Sequence, residues 1–382
     1  MKYLMLVCEG MTDDPMEDLD GRTPLEVAKT PFMDLLAKKG RVGSALFTPA
    51  ALPATSDVAC MSLLGFDPAE FYTGIAPLEA LAMGVPQDDS QVAFRCDLVT
   101  VSDEFLMDTS ASYITPKESR LLVEELNRKI SNGKARFYAG EGYKNILLIS
   151  DPENVDKLDG LECAGPRGLV GQKFVKHLPK GAGAAFLTDL MDQSKEILEN
   201  HEINRVRIDL NENPANMIWP WGQGKKPKMP SFRQRYGLDG AIVSSSDYVR
   251  GLGKALGLET EKGLEESLAE KDFVFVYLES SGDLYKRYDR KAKIKFIEDF
   301  DSSVVGNAVR FAEGHPELRL FVSTDTASST AKRALLHGHV PFLVQGSGVE
   351  AEEAGPFNEK TAALSKWVFD RGHQAMETFL KR

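Results

Sequence analysis

The sequence predicts an α/β protein: a mostly parallel sheet flanked by helices, interrupted by a smaller inserted α+β domain. Apolar runs alternate with helical patterns near both ends of the chain, which is how βαβ units read. The middle reads differently, as short strands in an α+β arrangement. The chain has 382 residues, enough for two domains. The expected plan is one discontinuous domain, residues 1–87 with 236–382, carrying a second domain at 88–235.

The elements follow in order. Leu4–Val7 is a buried-strand pattern that ends at Glu9-Gly10. Thr30-Pro31 opens a helix, with Thr30 as N-cap and Pro31 at the first helical position, and Gly40 closes it. Val92–Val101, Ala135–Tyr138, Asn145–Ser150 and Arg205–Leu210 read as strands of the middle unit. Trp219–Pro230 is dense in proline, glycine and lysine and reads as a loop, either anion-binding or simply solvated. Phe273–Leu278 and Leu318–Val322 are continuous apolar runs with a helix at Lys293–Ala312 between them, which is a βαβ unit. Val340–Val344 adds a strand, and Glu359–Phe379 is expected to close the chain as helix.

Composition narrows the function. Acidic residues outnumber basic ones 57 to 46, giving a net charge of −11. Such a surface repels phosphate backbones, so no nucleic-acid partner is expected, although a local basic pocket for a small anion is allowed. No apolar stretch approaches the length of a membrane span, and the first apolar run has no signal-type cleavage site after it. The expectation is a cytoplasmic protein with no membrane partner. The four cysteines, Cys8, Cys60, Cys96 and Cys163, have no paired spacing and read as reduced thiols.

Two segments carry chemistry. Glu9 directly follows the first strand, and in an open α/β sheet ligands bind at the carboxyl ends of the strands. Thr55-Ser56-Asp57 opens an apolar helix. That is how a plain N-cap looks, and also how a nucleophilic hydroxyl is set where a helix dipole favours a phosphoryl group.

The chain resembles the archaeal-type, cofactor-independent phosphoglycerate mutases of the alkaline phosphatase superfamily, and is similar to bacterial relatives described as proposed homoserine kinases. The resemblance spans nearly the whole chain. It rests on Thr23-Pro-Leu-Glu26, Ser56-Asp-Val-Ala59, Leu63-Leu-Gly-Phe-Asp-Pro68, Tyr72-Thr-Gly74, Pro77-Leu-Glu-Ala80, Ala93-Phe-Arg-Cys96, Tyr236-Gly-Leu238 and Arg250-Gly-Leu-Gly253. It implies an alkaline-phosphatase-like domain with an inserted smaller one. It also implies interconversion of 3- and 2-phosphoglycerate through a phosphoserine at Ser56, between two divalent ions, often manganese. Such ions lower the serine pKa and neutralise phosphoryl oxygens.

Position by position, the chain departs from that pattern. Where the family has Asp-Gly-Met after the first strand, this chain has Glu9-Gly10-Met11. The family's Asp-Glu-Ala-Gly-His falls, ungapped, on Gly282 and Lys286; a one-residue shift restores Asp283 but no histidine. The family's Asp-His pair becomes Asp325-Thr326, and its last histidine falls on Leu335, with His337 and His339 as replacements only through a gap. The Pro-His-Asp of the inserted domain reads Pro166-Arg167-Gly168. The remaining oxygen ligands, Glu9, Ser56 and Asp325, would suit one hard divalent ion, magnesium or manganese, rather than the manganese pair. Arg95, Lys286 and Arg167 are then left to meet the charge of a small phosphorylated metabolite. The expected outcome is a mutase-like protein with weak or absent turnover. A non-catalytic member that binds a ligand or partner, and a homoserine-kinase-like phosphotransferase, are the alternatives. The residues leave the oligomeric state open.

Overall fold

The computed structural model describes residues 1–130, 133–280, 289–352 and 355–381. In chain order the strands are β1 (Lys2–Cys8), β2 (Arg41–Ala45), β3 (Gln91–Ser102), β4 (Phe105–Asp108), β5 (Ala135–Tyr138), β6 (Lys144–Ser150) and β7 (Met217–Gly224). They continue with β8 (Gly240–Val243), β9 (Phe273–Leu278), β10 (Leu318–Thr324), β11 (Ala327–Ser329), β12 (Ala334–Leu336), β13 (Val340–Gly346) and β14 (Val368–Phe369). The chain divides into two compact units, Met1–Tyr72 with Met229–Arg382, and Thr73–Lys228.

The first unit is built on a seven-stranded sheet, ordered β14-β2-β13-β10-β1-β9-β8. β1 lies between β10 and β9, parallel to both, and β8 is parallel to β9. β13 is antiparallel to β10 and to β2, so the sheet is mixed but mostly parallel. The run Leu4–Cys8 is buried because both faces of a parallel sheet are covered. The helix Pro31–Lys39 starts at proline, where the missing N–H is no loss. The expected helix Lys293–Ala312 runs instead from Arg290 to Asp299, through a π-helical stretch Phe300–Val305, into Gly306–Glu313.

The C-terminal segment is not one helix. It is a helix Glu359–Leu364, the strand β14 and a helix Gln374–Leu380. The interruption has an aromatic cause. Trp367 and Phe369 pack against Phe342 of β13, and β14 pairs with the outer edge of β2.

In the second unit β3 pairs with β6 and β4, β6 with β5, and β7 runs along the other edge of β3. Two sequence expectations fail here. Trp219–Pro230 is not all loop, because β7 takes its first six residues. Pro220 is tolerated because β7 is an edge strand whose pairing shifts register beside it. Arg205–Leu210 is not a strand but lies in and just after the helix Glu202–Asp209. The alternating Val206, Ile208 and Leu210 that suggest a strand are exposed, while the polar Asn204 and Arg207, three apart, are buried. Arg207 bonds the carbonyls of Asn213 and Ala111, and Asn204 bonds Ala215 through both N–H and C=O. The unit also begins before residue 88: the helix Ile75–Ala82 lays Ala76 and Ala80 against Ala93, Ile146 and Leu148.

All four cysteines are free thiols. Among the described residues no helix is long and apolar enough to cross a membrane.

Candidate active site

Three segments of the first unit converge at the carboxyl edge of its parallel strands. Glu9 follows β1 and Asp325 follows β10. Ser56 begins the helix Ser56–Leu63. All three are buried. The Ser56 hydroxyl donates to Glu9 Oε1 at 3.3 Å. Glu9 Oε2 accepts two bonds from Ser280, from its N–H at 2.8 Å and its hydroxyl at 2.7 Å. Asp325 accepts four protein hydrogen bonds. Its Oδ1 accepts from the N–H of Gly10 at 3.1 Å and from the N–H of Thr326 at 2.6 Å and its hydroxyl at 3.2 Å. Its Oδ2 accepts from the Tyr277 hydroxyl at 3.0 Å, which in turn accepts from the Tyr248 hydroxyl at 3.0 Å.

Local geometry explains the approach. Gly10 turns at φ +61°, a left-handed conformation that suits glycine, and so points its N–H at Asp325. Thr324 ties the ends of β1 and β10 by donating to the Cys8 carbonyl and accepting from the Met11 N–H. Lys293, buried at 1% exposure, bonds Asp13 Oδ2 and the Thr12 carbonyl at 2.6 Å each and Ser328 Oγ at 3.0 Å. It joins the loop after Glu9 to the strand after Asp325. Burial, then the charge of Asp325, pushes the Glu9 carboxyl up to about 7, against the pull of the Ser280 bonds. Burial likewise pushes up the thiols of Cys8 and Cys60 and the phenols of Tyr248 and Tyr277.

The helix start at Ser56 is uncapped. Thr55 occupies the cap position without a side-chain cap bond, and its hydroxyl is buried and unpartnered. An uncapped helix start leaves N–H groups available to an anion.

The remaining expected residues lie elsewhere. His337 bonds the Thr48 carbonyl and His339 bonds Asp370, so neither is a partner of Glu9 or Asp325. Asp283 and Lys286 fall outside the described residues. Arg95 and Arg167 belong to the second unit. Arg95 is buried, pairs with Glu79 at 3.0 Å and Asp97 at 2.9 Å, and lies 4.9 Å from the Trp221 ring centroid. Two carboxylates already balance its charge. Arg167 is exposed. Sequence reasoning missed Tyr248, Tyr277, Ser280, Asp13 and Lys293. Tyr277 had a signal, as the one hydroxyl in the apolar run Phe273–Leu278.

The described residues do not fit a two-ion centre. No group of three or more His, Cys, Asp or Glu is placed to hold a metal among them. Asp325 accepts four protein hydrogen bonds, three of them on Oδ1, and Glu9 accepts three. An ion here would compete with those bonds, with no described imidazole to complete its shell.

Similarity to known proteins decides the family. The profile of the 2,3-bisphosphoglycerate-independent phosphoglycerate mutases matches residues 37–204. A phosphoglycerate mutase of that name from Methanothrix thermoacetophila is 38% identical, with 100% of both chains covered. The chain belongs to the 2,3-bisphosphoglycerate-independent phosphoglycerate mutase family. A probable mutase of the same name from Geobacter sulfurreducens is 35% identical over 100% of both chains. Two solved structures share the fold, each at 23% identity. A Pyrococcus horikoshii protein superposes with a TM-score of 0.79, covering 99% of this chain and 96% of its own. The cofactor-independent phosphoglycerate mutase of Thermoplasma acidophilum superposes with a TM-score of 0.64, covering 100% and 99%. Neither the profile nor these relatives carries a homoserine kinase name, so that alternative is without support.

Proposed function

We propose that this protein binds a small phosphorylated acid of the phosphoglycerate class at Ser56, and that its mutase turnover is weak or absent. One observation carries the reading: Ser56 sits at an uncapped helix start with its hydroxyl on Glu9, while Asp325 already accepts four protein hydrogen bonds. The first half suits an anion and gives the serine an acceptor for its proton. The second half leaves Asp325 a single open acceptor position, on Oδ2, with which to hold an ion. The relatives named phosphoglycerate mutases supply the substrate class. Cytoplasmic location and the roles of Glu9, Ser56 and Asp325 are part of the same proposal. Magnesium or manganese, if taken up singly, would enter through these three oxygens.

Losing ion stabilisation of the transition state removes several kcal/mol, which is orders of magnitude in rate. The test is to purify without chelator, measure bound manganese and zinc, and assay conversion of 3-phosphoglycerate with added manganese. Binding of 3-phosphoglycerate that is lost in Ser56→Glu, with turnover far below about 1 s⁻¹, is the expected result. Near two ions per chain with turnover at or above that rate would restore the two-ion enzyme. Absence of 3-phosphoglycerate binding would favour a member that holds a different ligand or a protein partner.

A further inference from the structure

A cleft of about 1150 Å³ opens in the second unit, among residues none of which belongs to the site around Ser56. Its volume is somewhat above the usual range of small-molecule pockets. Its apolar lining comes from Leu81 in the helix Ile75–Ala82, Val85 after it, Ile130, and Leu148 of β6. Its charge runs against that of the molecule. Lys134, Arg136 and Lys226 line it against one carboxylate, Asp88, in a chain of net charge −11. Lys134 is answered by Asp151 at 2.7 Å. Arg136 and Lys226 form no hydrogen bond or ion pair with a described residue. The Arg136 guanidinium rests 5.3 Å from the Tyr138 ring centroid, a contact that leaves its N–H edge available.

A second observation is independent of charge. Gln87 lines the cleft and is 8% exposed. Its Nε2 donates to the carbonyls of Gln91 at 3.2 Å and Gly224 at 3.0 Å, which fixes which end of the amide is which. Its Oε1 is buried and has no partner. A buried acceptor left unmade is unfavourable, so a ligand donor that draws the Gln87 amide into the cleft would be favoured.

We propose that this cleft binds a phosphorylated metabolite whose phosphate meets Arg136 and Lys226 and whose hydroxyl or amino group donates to Gln87 Oε1. Two cations, among the described residues Arg136 without an ion-pair partner and Lys226 with only the charge of Asp88 acting on it, match a phosphate monoester, which carries close to two negative charges at neutral pH, better than a single carboxylate. A sugar phosphate and a nucleotide share that chemistry.

The test is calorimetric titration of the full chain with ribose 5-phosphate, adenosine 5′-monophosphate and inorganic phosphate. At least one ester should bind at a single site, and which ester binds names the source. The doubly substituted Arg136→Ala, Lys226→Ala protein should bind about tenfold more weakly or worse, the loss of charge-assisted bonds. Both positions are exposed, so the fold is kept. Gln87→Met should weaken the ester several-fold and leave inorganic phosphate unchanged, and the ester's affinity for this cleft should persist in Ser56→Ala. No binding of either ester at about 1 mM, the weak end of specific affinity, would overturn the proposal. So would ester binding that Ser56→Ala removes, or that the two cation substitutions leave intact.

Discussion

Lys293 is a buried ammonium whose three oxygen partners lie on two segments, the loop following Glu9 and the strand β11 following Asp325. Its partner Asp13 is equally enclosed and also accepts from the N–H groups of Asp14 and Thr330. Removing one member of such a pair leaves the other charged and unsolvated, which typically destabilises by about 3–5 kcal/mol. Lys293→Met should lose stability on that scale in urea unfolding, and adding Asp13→Asn should recover part of it. A double variant no better than the single one would show that the two charges are not coupled. The same residues mark the limit of reading a site from sequence. Glu9, Ser56 and Asp325 were legible because each follows a strand or opens a helix, and the sheet edge brings such positions together. Lys293 was not, because a lysine beside Ile294 reads as the solvated side of its helix. Only the four-residue step to buried Ile297 places it inward. His337 and His339 have chemistry that suits a metal, but the fold gives each a protein partner, Thr48 or Asp370, which their sequence neighbours do not announce.

Between elements, Asp301 does for the helix Pro31–Lys39 what a local cap would do. Thr30 makes no side-chain cap bond; instead Asp301, in the π-helical stretch of a distant helix, accepts from the N–H of Met33 at 2.7 Å and of Phe32 at 3.2 Å. Burial pushes its carboxyl from 3.8 up to about 6, opposed by those two N–H groups and aided by the charge of Asp34. The folded protein therefore holds this proton more tightly than the unfolded chain. Asp301's contribution to stability is full below about pH 4 and declines as pH rises towards about 6. A loss of about 1–2 kcal/mol across that window is expected after allowance for solvent screening. Asp301→Asn, which cannot ionise, should show a flatter stability profile between those pH values; a slope equal to the parent's would assign the effect to other groups. Such caps from afar are invisible to a reading that looks for S/T/D/N next to the helix. That is also why boundaries at strongly patterned elements were legible while the C-terminal segment was not. Its break follows from Trp367 and Phe369 finding Phe342.

At the scale of the whole chain, the second unit is entered and left through two backbone segments that lie against each other. Thr73 Oγ1 donates to the Lys225 carbonyl at 2.8 Å. A Cβ on Gly224 would stand 1.9 Å from the Thr73 carbonyl oxygen, and one on Gly74 would stand 2.1 Å from the Gln223 carbonyl oxygen. Gly74 also holds φ at +138°, which L side chains rarely adopt. Two glycines thus let the two segments of the junction cross at backbone distance, and sequence alone offered Tyr72-Thr-Gly74 only as part of a resemblance. The unit also has its own core, in which Phe94, Leu122, Leu147, Met191 and Trp219 are all buried. Adjacent ends and a separate core are what an independently folding insertion requires. A fragment of residues 73–228 is large enough to bury about two-thirds of its unfolded surface. It should therefore fold alone and melt cooperatively, with coincident near- and far-ultraviolet circular dichroism transitions. Gly224→Ala should lower the stability of that fragment by about 1–3 kcal/mol, because its clash is with backbone that no rotamer can move aside. A fragment that stays unfolded in buffer would mean that the unit depends on the rest of the chain. A fragment indifferent to Gly224→Ala would mean that the crossing is not under steric constraint.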